Sequence, residues 1–429
     1  MRIYDVIDKK KKGKTLSKKE IEFFIKGVCN KSIADYQTSA MLMAICINGM
    51  TDKETFYLTK AMLYSGNVEK KKGKGITVDK HSTGGVADST TLVISPILAL
   101  AGLKTKKLSG RGLGQTGGTL DKLEAFNGFN VSLTNEQFNY QVEKIGVAVA
   151  GQTEDTAYAD KILYALRDVT ATIDSLPLIA SSIMSKKLAK MNDVLLLDVK
   201  YGNGAFMKNK KDATILAKLM CDIGKRFNRK TIAVISNMNQ PLGDSVGCNF
   251  EVSEGMSILK GETKNDLYSL SKIIFEEIVK ATNISIEKDF FDNRIKDGSA
   301  INKLKEMVLM QGGTGEEFEE NYLFPKGKIK KEIKATDSGY IKNILAMSVG
   351  KANLSLGGGR EKKTDKLDKS VGVILSKRVG DKVYNGDTIL TLYANDEEKL
   401  RLAEKEILKG IKVSKDIINK EKLVYKIIR

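Results

Sequence analysis

The chain carries one histidine, His81, and it lies in the run DKHSTGGVADSTT, Asp79 to Thr91, between a short β-rich stretch, ITVD, and an apolar helical stretch. Gly84 and Gly85 let backbone amides approach an anion closely there, and the following helix offers its positive N-terminal end. Lys80, Ser82 and Thr91 add a positive charge and hydroxyl donors. An ordinary strand-to-helix turn carries the same glycines, so this run alone leaves phosphate binding and plain turn chemistry both open. A second run, KLSGRGLGQTGGTLDKLEAF, repeats the pattern after another short strand. Gly110, Gly112, Gly114, Gly117 and Gly118 are flanked there by Lys107, Ser109 and Thr119. Two such turns at successive strand ends of a parallel sheet can face one shared oxyanion. Neither closes on a glycine-lysine-hydroxyl triplet, so ATP is not the expected ligand.

A third group consists of Tyr164, Arg167, Ser182 and Lys186. Tyr164 and Arg167 are three apart on a predicted helix, and Ser182 and Lys186 are four apart on the next, so each pair shares a face. A solvated basic face has the same spacing. Set opposite a phosphate cradle, however, Arg and Lys supply what a departing nitrogen heterocycle needs, positive charge near its carbonyl oxygens. Arginine does not give up its proton, so its part would be to stabilise charge. With a single histidine, no His-based metal cluster and no mechanism needing two imidazoles is available.

The elements that must hold these residues follow from punctuation and periodicity. Up to about Gly66 the chain reads as helices. Ser17 with Glu20 and Thr51 with Glu54 form capping boxes, and Gly27, Gly49 and Gly66 mark expected stops. From about Gly75, the short runs ITVD, KTKKLS, VAVAG, VLLLDVK and TIAVIS alternate with helical segments, which predicts an α/β domain with a largely parallel sheet. The stretch from AYADKILYALRDV to SIMSKKLAKM interrupts that alternation and is expected to return to the helical unit. After about Pro325, GYIKNI, VGVILSKRVGDKVYNGDTILTLYA and KLVYKIIR read as strands; part of this resembles the hammerhead strands of biotinyl and lipoyl carrier domains. No modifiable lysine sits in the expected hairpin, so this part is read as scaffold. The expected fold is α/β: a small all-helical domain, a large α/β domain with a mixed, mostly parallel sheet, and a C-terminal α+β barrel-sandwich-like subdomain. The expected boundaries are 1–66 with 155–192 for the helical domain, 67–154 with 193–330 for the α/β domain, and 331–429 for the last.

Composition narrows the function classes. A chain of 429 residues, 41% of them hydrophobic, buries a sizeable core and suggests two or three domains. The N-terminus turns basic and polar before any apolar stretch of useful length, so no signal peptide is expected. TTLVISPILALAGL is too short and interrupted to span a bilayer, so no membrane partner is expected. Cys29, Cys46, Cys221 and Cys248 are far apart and form neither a CxxC pair nor a metal array, which suits a cytoplasmic protein. The net charge of +18 comes from lysines dispersed along the chain, and aromatics are only 7% of residues. A nucleic-acid partner is therefore not expected; a basic RNA-binding protein would cluster its arginines and expose aromatics.

The run SGRGLGQTGGTLDKLE, together with KHSTGGVAD, LYALRDVTAT, SSIMSKK, DVKYGNGAFMK and NQPLG in this order, resembles the thymidine and pyrimidine-nucleoside phosphorylase family over nearly the full length. A resemblance to anthranilate phosphoribosyltransferases concerns fold only. The first resemblance implies reversible phosphorolysis of thymidine, uridine and deoxyuridine to free base and (deoxy)ribose 1-phosphate, in pyrimidine salvage. The alternatives are a strict thymidine phosphorylase and, more distantly, a phosphoribosyltransferase. It implies that Lys80, Ser82, Thr91, Lys107, Ser109 and Thr119 hold phosphate. Tyr164, Arg167, Ser182 and Lys186 would hold the pyrimidine. His81, with an ordinary pKa of about 6.5, would hydrogen-bond or protonate its O2. Catalysis would fall to His81, Arg167 and Lys186. No organic cofactor is implied, with inorganic phosphate as co-substrate and a homodimer built through the helical domain. In several family members a potassium ion braces the hinge, at positions matching Ala87, Ser89, Leu242, Ser245 and Glu254. Ala87 stands where glycine is expected, Ser89 where threonine is, and Gln115 where histidine is; the last is expected to tune activity without abolishing it.

Overall fold

In a computed structural model, the described residues are 1–69, 74–112, 114–151, 156–362 and 364–429. Leu113 of the second glycine run and the expected boundary at residues 154 and 155 lie outside them. Four helices open the chain: α1 (Ile3–Lys11), α2 (Lys18–Cys29), α3 (Asp35–Asn48) and α4 (Asp52–Leu63). Both expected capping boxes form, Ser17 with Glu20 before α2 and Thr51 with Glu54 before α4. Gly27 does not stop α2, which runs on to Cys29. Its missing side chain serves packing instead, since a Cβ there would lie 2.3 Å from Ile33 Cδ1. Gly49 does end α3, with φ +64°.

The α/β part follows as β1 (Thr77–Ser82), α5 (Thr90–Leu100), β2 (Lys104–Ser109), α6 (Thr119–Leu123), α7 (Asn135–Ile145) and β3 (Val147–Gly151). Then come α8 (Tyr158–Val169) and α9 (Leu176–Leu188), after which β4 (Val194–Tyr201), α10 (Lys210–Arg226) and β5 (Lys230–Asn237) resume the alternation. Ala159 and Leu163 of α8 and Leu178 of α9 share one apolar cluster with Ile21, Phe24, Met41 and Leu58, so both helices pack with the N-terminal four. β6 (Ser245–Val246), α11 (Cys248–Leu259), α12 (Asp266–Thr282), α13 (Phe290–Lys296) and α14 (Ser299–Met310) complete this part.

The large sheet has the order β13-β5-β4-β1-β2-β3, with β13 being Val424–Ile428. The pairs β5-β4, β4-β1, β1-β2 and β2-β3 are parallel and β13 is antiparallel, so the sheet is mixed but mostly parallel. The last strand, KLVYKIIR, thus joins the large sheet although it follows the C-terminal segment in sequence. It caps the open edge at β5, where exposed ladder groups would otherwise be unpaired. Apolar side chains from α5, α12 and α14 cover one face, and those from α9 and α10 cover the other. Buried on both faces, β4 reads as the apolar run VLLL, interrupted by Asp198 and Lys200.

The C-terminal part holds β7 (Ile329–Lys334), β8 (Gly339–Ile344), α15 (Ala346–Leu356), β9 (Gly372–Leu375), β10 (Lys382–Val383), β11 (Thr388–Ala394), α16 (Glu397–Leu408) and β12 (Ile411–Ser414). Its strands form two small sheets, β10-β8-β12 and β6-β9-β11-β7. Because β6 comes from before residue 330 and the apolar cluster runs on into Ile341, Val373 and Leu390, this part shares its core with the α/β domain.

Candidate active site

β1 carries His81 and Ser82 at its carboxyl end, paired with Leu197 and Asp198 of β4. Successive side chains of a strand point to opposite faces, and this sorts the charges here into two groups. On one face, Asp79 receives the Lys187 ammonium at 2.8 Å and lies 3.6 Å from that of Lys107. Lys187 also donates to the Leu108 carbonyl at 3.1 Å, and Lys107 donates to the Lys80 carbonyl. One lysine of α9 thus ties the helical wall to the ends of both β1 and β2. The two glycine-lined turns are neighbours.

On the other face, Lys80 donates to Thr90 Oγ1 and lies 3.6 Å from Asp88 and 3.5 Å from Asp198. Lys200 meets Asp198 at 2.7 Å and Asp88 at 3.5 Å. Asp88 also accepts from Ser82 Oγ at 2.6 Å and Thr90 Oγ1 at 2.6 Å. Burial opposes its charge, but Lys200, Lys80 and the two hydroxyls outweigh that and hold Asp88 well below the ordinary carboxylate range. This carboxylate therefore stays charged and aims Ser82. Thr91, next to Thr90, is buried in the first turn of α5.

The second turn is built on contacts that only glycine permits. A Cβ on Gly112 would lie 2.4 Å from the Gly118 nitrogen, and one on Gly118 would lie 2.4 Å from that of Gly112. Both amides donate to Asp121 Oδ2 at 2.8 Å. Arg360, from the C-terminal part, donates to Asp121 Oδ1 at 2.7 Å and to the Gly112 carbonyl at 3.0 Å. Ser109 closes β2, and Thr119 opens α6 just beyond this turn. Gln115 is held through its backbone, its carbonyl accepting from Asn353 at 2.9 Å.

The helical wall carries the third group. Lys186 meets Asp160 at 2.8 Å, donates to Ser182 Oγ at 3.2 Å and stands 5.6 Å from the Tyr164 ring centre. The Arg167 guanidinium is 5.9 Å from the same ring. It is buried, and it donates to the carbonyls of Thr172 at 3.2 Å, Ile173 at 2.8 Å and Leu178 at 3.2 Å. An arginine has five N–H groups, so these bonds fix its position and leave part of its donor set free.

The cations change the expected protonation of two groups. Burial first, then Lys187, Lys107, Lys186 and Lys80, hold His81 well below its ordinary value of 6.5. The imidazole is therefore neutral near pH 7. Of the two roles expected of His81, this protonation state favours hydrogen bonding to O2 over protonating it. Burial and Lys187, opposed by Asp79, bring Lys107 down to about 7.

Lys187, Asp198, Lys200, Asp160 and Arg360 also belong to this assembly, and no motif in the sequence marks them. A signal existed for Asp198 and Lys200, because charges inside a central, doubly covered strand are buried only when paired. None existed for Lys187, whose neighbour Lys186 looks the same in sequence.

Of the expected potassium positions, the loop carrying Leu242 and Ser245 is bonded to the chain at Ala87 and to Glu254, while Ser89 turns to Glu251. Ser89 Oγ donates to Glu251 at 2.9 Å, and the Ala87 carbonyl accepts from the Gly243 amide at 3.1 Å. The Leu242 carbonyl accepts from Arg378 at 3.2 Å. Glu254 accepts from the amides of Asp244 at 2.6 Å and Ser245 at 3.0 Å.

The glycine-lined strand ends and the helical wall belong to the glycosyl transferase class, which the chain matches in both parts. Residues 74–285 match the glycosyl transferase family a/b domain and residues 4–66 its helical bundle domain, while residues 340–414 match the pyrimidine nucleoside phosphorylase C-terminal domain. The chain belongs to the pyrimidine-nucleoside phosphorylase family. It is 45% identical over 430 residues to the pyrimidine-nucleoside phosphorylase of Geobacillus stearothermophilus, covering 99% of each chain. With that of Bacillus subtilis (strain 168) it is 46% identical over 402 residues, 92% of this chain and 93% of the relative. The anthranilate phosphoribosyltransferase structure from Thermus thermophilus matches 72% of this chain and 99% of that one with TM-score 0.58. At 15% identity, that likeness is one of fold.

Proposed function

We propose that this enzyme splits pyrimidine nucleosides, thymidine, uridine and deoxyuridine, with inorganic phosphate, giving the free base and an α-configured pentose 1-phosphate. The observation that carries this reading is Lys187, which joins the helical wall to both strand ends, so that an anion held at those ends would lie beside a heterocycle held on that wall. Phosphate held among Lys80, Ser82, Thr91, Lys107, Ser109 and Thr119 attacks the anomeric carbon through one oxygen. The bond from that carbon to the ring nitrogen breaks through an oxocarbenium-like state, with inversion, and its electron pair goes to the pyrimidine. Arg167 and Lys186 stabilise the charge on the departing ring, Tyr164 and Ser182 help to seat it, and neutral His81 donates to its O2. The protein's contribution is positioning and charge, with no covalent intermediate.

The test is an absorbance assay for free base with thymidine, uridine, deoxyuridine and cytidine, run with and without phosphate. Release from the first three that requires phosphate is the expected result. Release independent of phosphate, or none, would overturn the reading, and release from thymidine alone would restrict it to the strict thymidine enzyme.

Lys107 makes phosphate binding depend on pH in a definite direction. Above about pH 7 the empty site holds it neutral, and a bound anion draws a proton back onto it. The Michaelis constant for phosphate should rise between pH 7 and 9, by up to about tenfold per unit. Calorimetry at pH 8 in buffers of different ionisation enthalpy should show proton uptake of about one per phosphate bound. Lys107→Arg, which stays charged, should flatten both effects.

The reading includes a homodimer built through the helical domain. Support comes from α3, where Tyr36 and Ile47 are 76% and 74% exposed and Met43 lies on the same stripe. Light scattering should give twice the chain mass, and Ile47→Glu should shift it to one chain. A cytoplasmic location is part of the same reading, supported by four cysteines that form no disulfide. Among the described residues, no helix is long and apolar enough to cross a membrane.

A further inference from the structure

We infer that Arg378 is the resident cation of the loop behind the first phosphate turn, taking over the bracing role of a potassium ion, so that the enzyme works without a monovalent metal ion. The loop Leu242–Ser245 is hydrogen-bonded to that turn. The amides of Leu242 and Gly243 donate to the carbonyls of Val86 and Ala87, each at 3.1 Å. The next residue, Asp88, takes the Ser82 hydroxyl. The position of this loop therefore sets that of a phosphate-binding side chain.

Arg378 lies between β9 and β10, in the C-terminal part, and its side chain is 15% exposed. Its guanidinium donates to the Gly243 carbonyl at 3.0 Å and the Leu242 carbonyl at 3.2 Å. It also pairs with Asp266 at 2.8 Å and Asp244 at 3.2 Å. Asn265 carries the network on, donating to Asp244 Oδ2 at 2.7 Å and to Glu254 Oε1 at 2.6 Å.

Four of the five groups a potassium ion would use, all but Ser245, are engaged. The Ala87 carbonyl holds the Gly243 amide. Both Glu254 oxygens hold backbone amides, and the Leu242 carbonyl holds Arg378. The Ser89 hydroxyl is bound to Glu251, whose charge is matched by Lys122 at 2.6 Å. An ion at Leu242 would share one oxygen with a guanidinium, and two like charges at that range repel. The residues present do not fit a bound potassium ion. A guanidinium is always charged, and its planar fork reaches two carbonyls and two carboxylates at once, so it performs the brace.

This goes beyond the phosphorolysis reading, because its first readout is stability. Thermal unfolding of the full chain is measured in potassium, sodium and tetramethylammonium chloride at one ionic strength, followed by phosphorolysis in the same salts. The expected result is one midpoint and one turnover number in all three. Arg378→Gln should lower the midpoint and raise the Michaelis constant for phosphate several-fold in tetramethylammonium, with turnover less affected, and potassium should restore both. Arg378→Lys should keep the indifference to salt. A potassium-specific rise in the midpoint or turnover of the unmodified enzyme would overturn the inference. So would an Arg378→Gln variant that matches the parent in every salt, or one whose defect potassium does not relieve. If Arg378→Gln does not fold, the unmodified enzyme decides the matter alone. Absence of base release in every salt, with the midpoints behaving as expected, would count against the phosphorolysis reading and leave the brace standing.

Discussion

Arg167→Ala is expected to lower turnover by ~10²–10³-fold, the usual consequence of removing one preorganised donor from a developing anion. The pyrimidine acquires its charge only as the glycosidic bond breaks, so a cation already fixed in place acts on the transition state more than on the bound nucleoside. Three backbone carbonyls fix this one, and the Tyr164 ring lies beside it. Truncation also leaves those carbonyls without their partner, at about 1–3 kcal/mol for each that water cannot reach. Two readouts separate the effects. Arg167→Lys keeps the charge but not the planar fork, so it should recover part of the turnover while losing most of the stability that the carbonyl contacts supply. A variant that is less stable but turns over normally would remove Arg167 from the chemistry.

The fold was largely legible because its signals are local. The runs KTKKLS and VAVAG are bounded by turns, and the structure places β2 and β3 on them. Capping boxes at Ser17 and Thr51 mark helix starts through bonds only three residues long. Signals that depend on a distant partner misled or were silent. Gly27 reads as a stop, yet it accommodates Ile33, a contact set by how the chain turns back after α2. The segment KLVYKIIR reads as a strand, but nothing in it says that its partner is β5, almost 200 residues earlier.

The site divides in the same way. The glycine turns and their hydroxyls were visible, since a turn that cradles an anion needs small residues and donors within a few positions. What sets the protonation of that turn was not. Lys186 and Lys187 are adjacent and chemically alike, and about 100° of helical rotation sends one to Asp160 and the other to Asp79. The low basicity of His81 follows from its burial first and then from four lysines on β1, β2 and α9, and only the tertiary structure brings these about. Arg378 is more remote still, reaching Leu242 across more than 130 residues.

Lys187→Met tests that tertiary contribution directly. Removing one partner of a buried pair leaves Asp79 with only the more distant Lys107, at 3.6 Å, and such a break costs up to about 3–5 kcal/mol. Chemical denaturation should show a loss of that order. The same change should act on the phosphate site in a way that general loosening would not. Lys187 depresses Lys107 while Asp79 raises it, so with the ammonium gone and the carboxylate kept, the Lys107 pKa should climb above about 7. The rise in the phosphate Michaelis constant should then begin at higher pH than in the parent. Adding Asp79→Asn should return much of the stability, because a neutral pair leaves no buried charge without a partner. It should also move the pH limb back below that of Lys187→Met alone, since the group that raised Lys107 has been removed. A limb that stays fixed through all three forms would mean that Lys107 does not titrate in phosphate binding, and the loss of stability would then be the whole effect of Lys187.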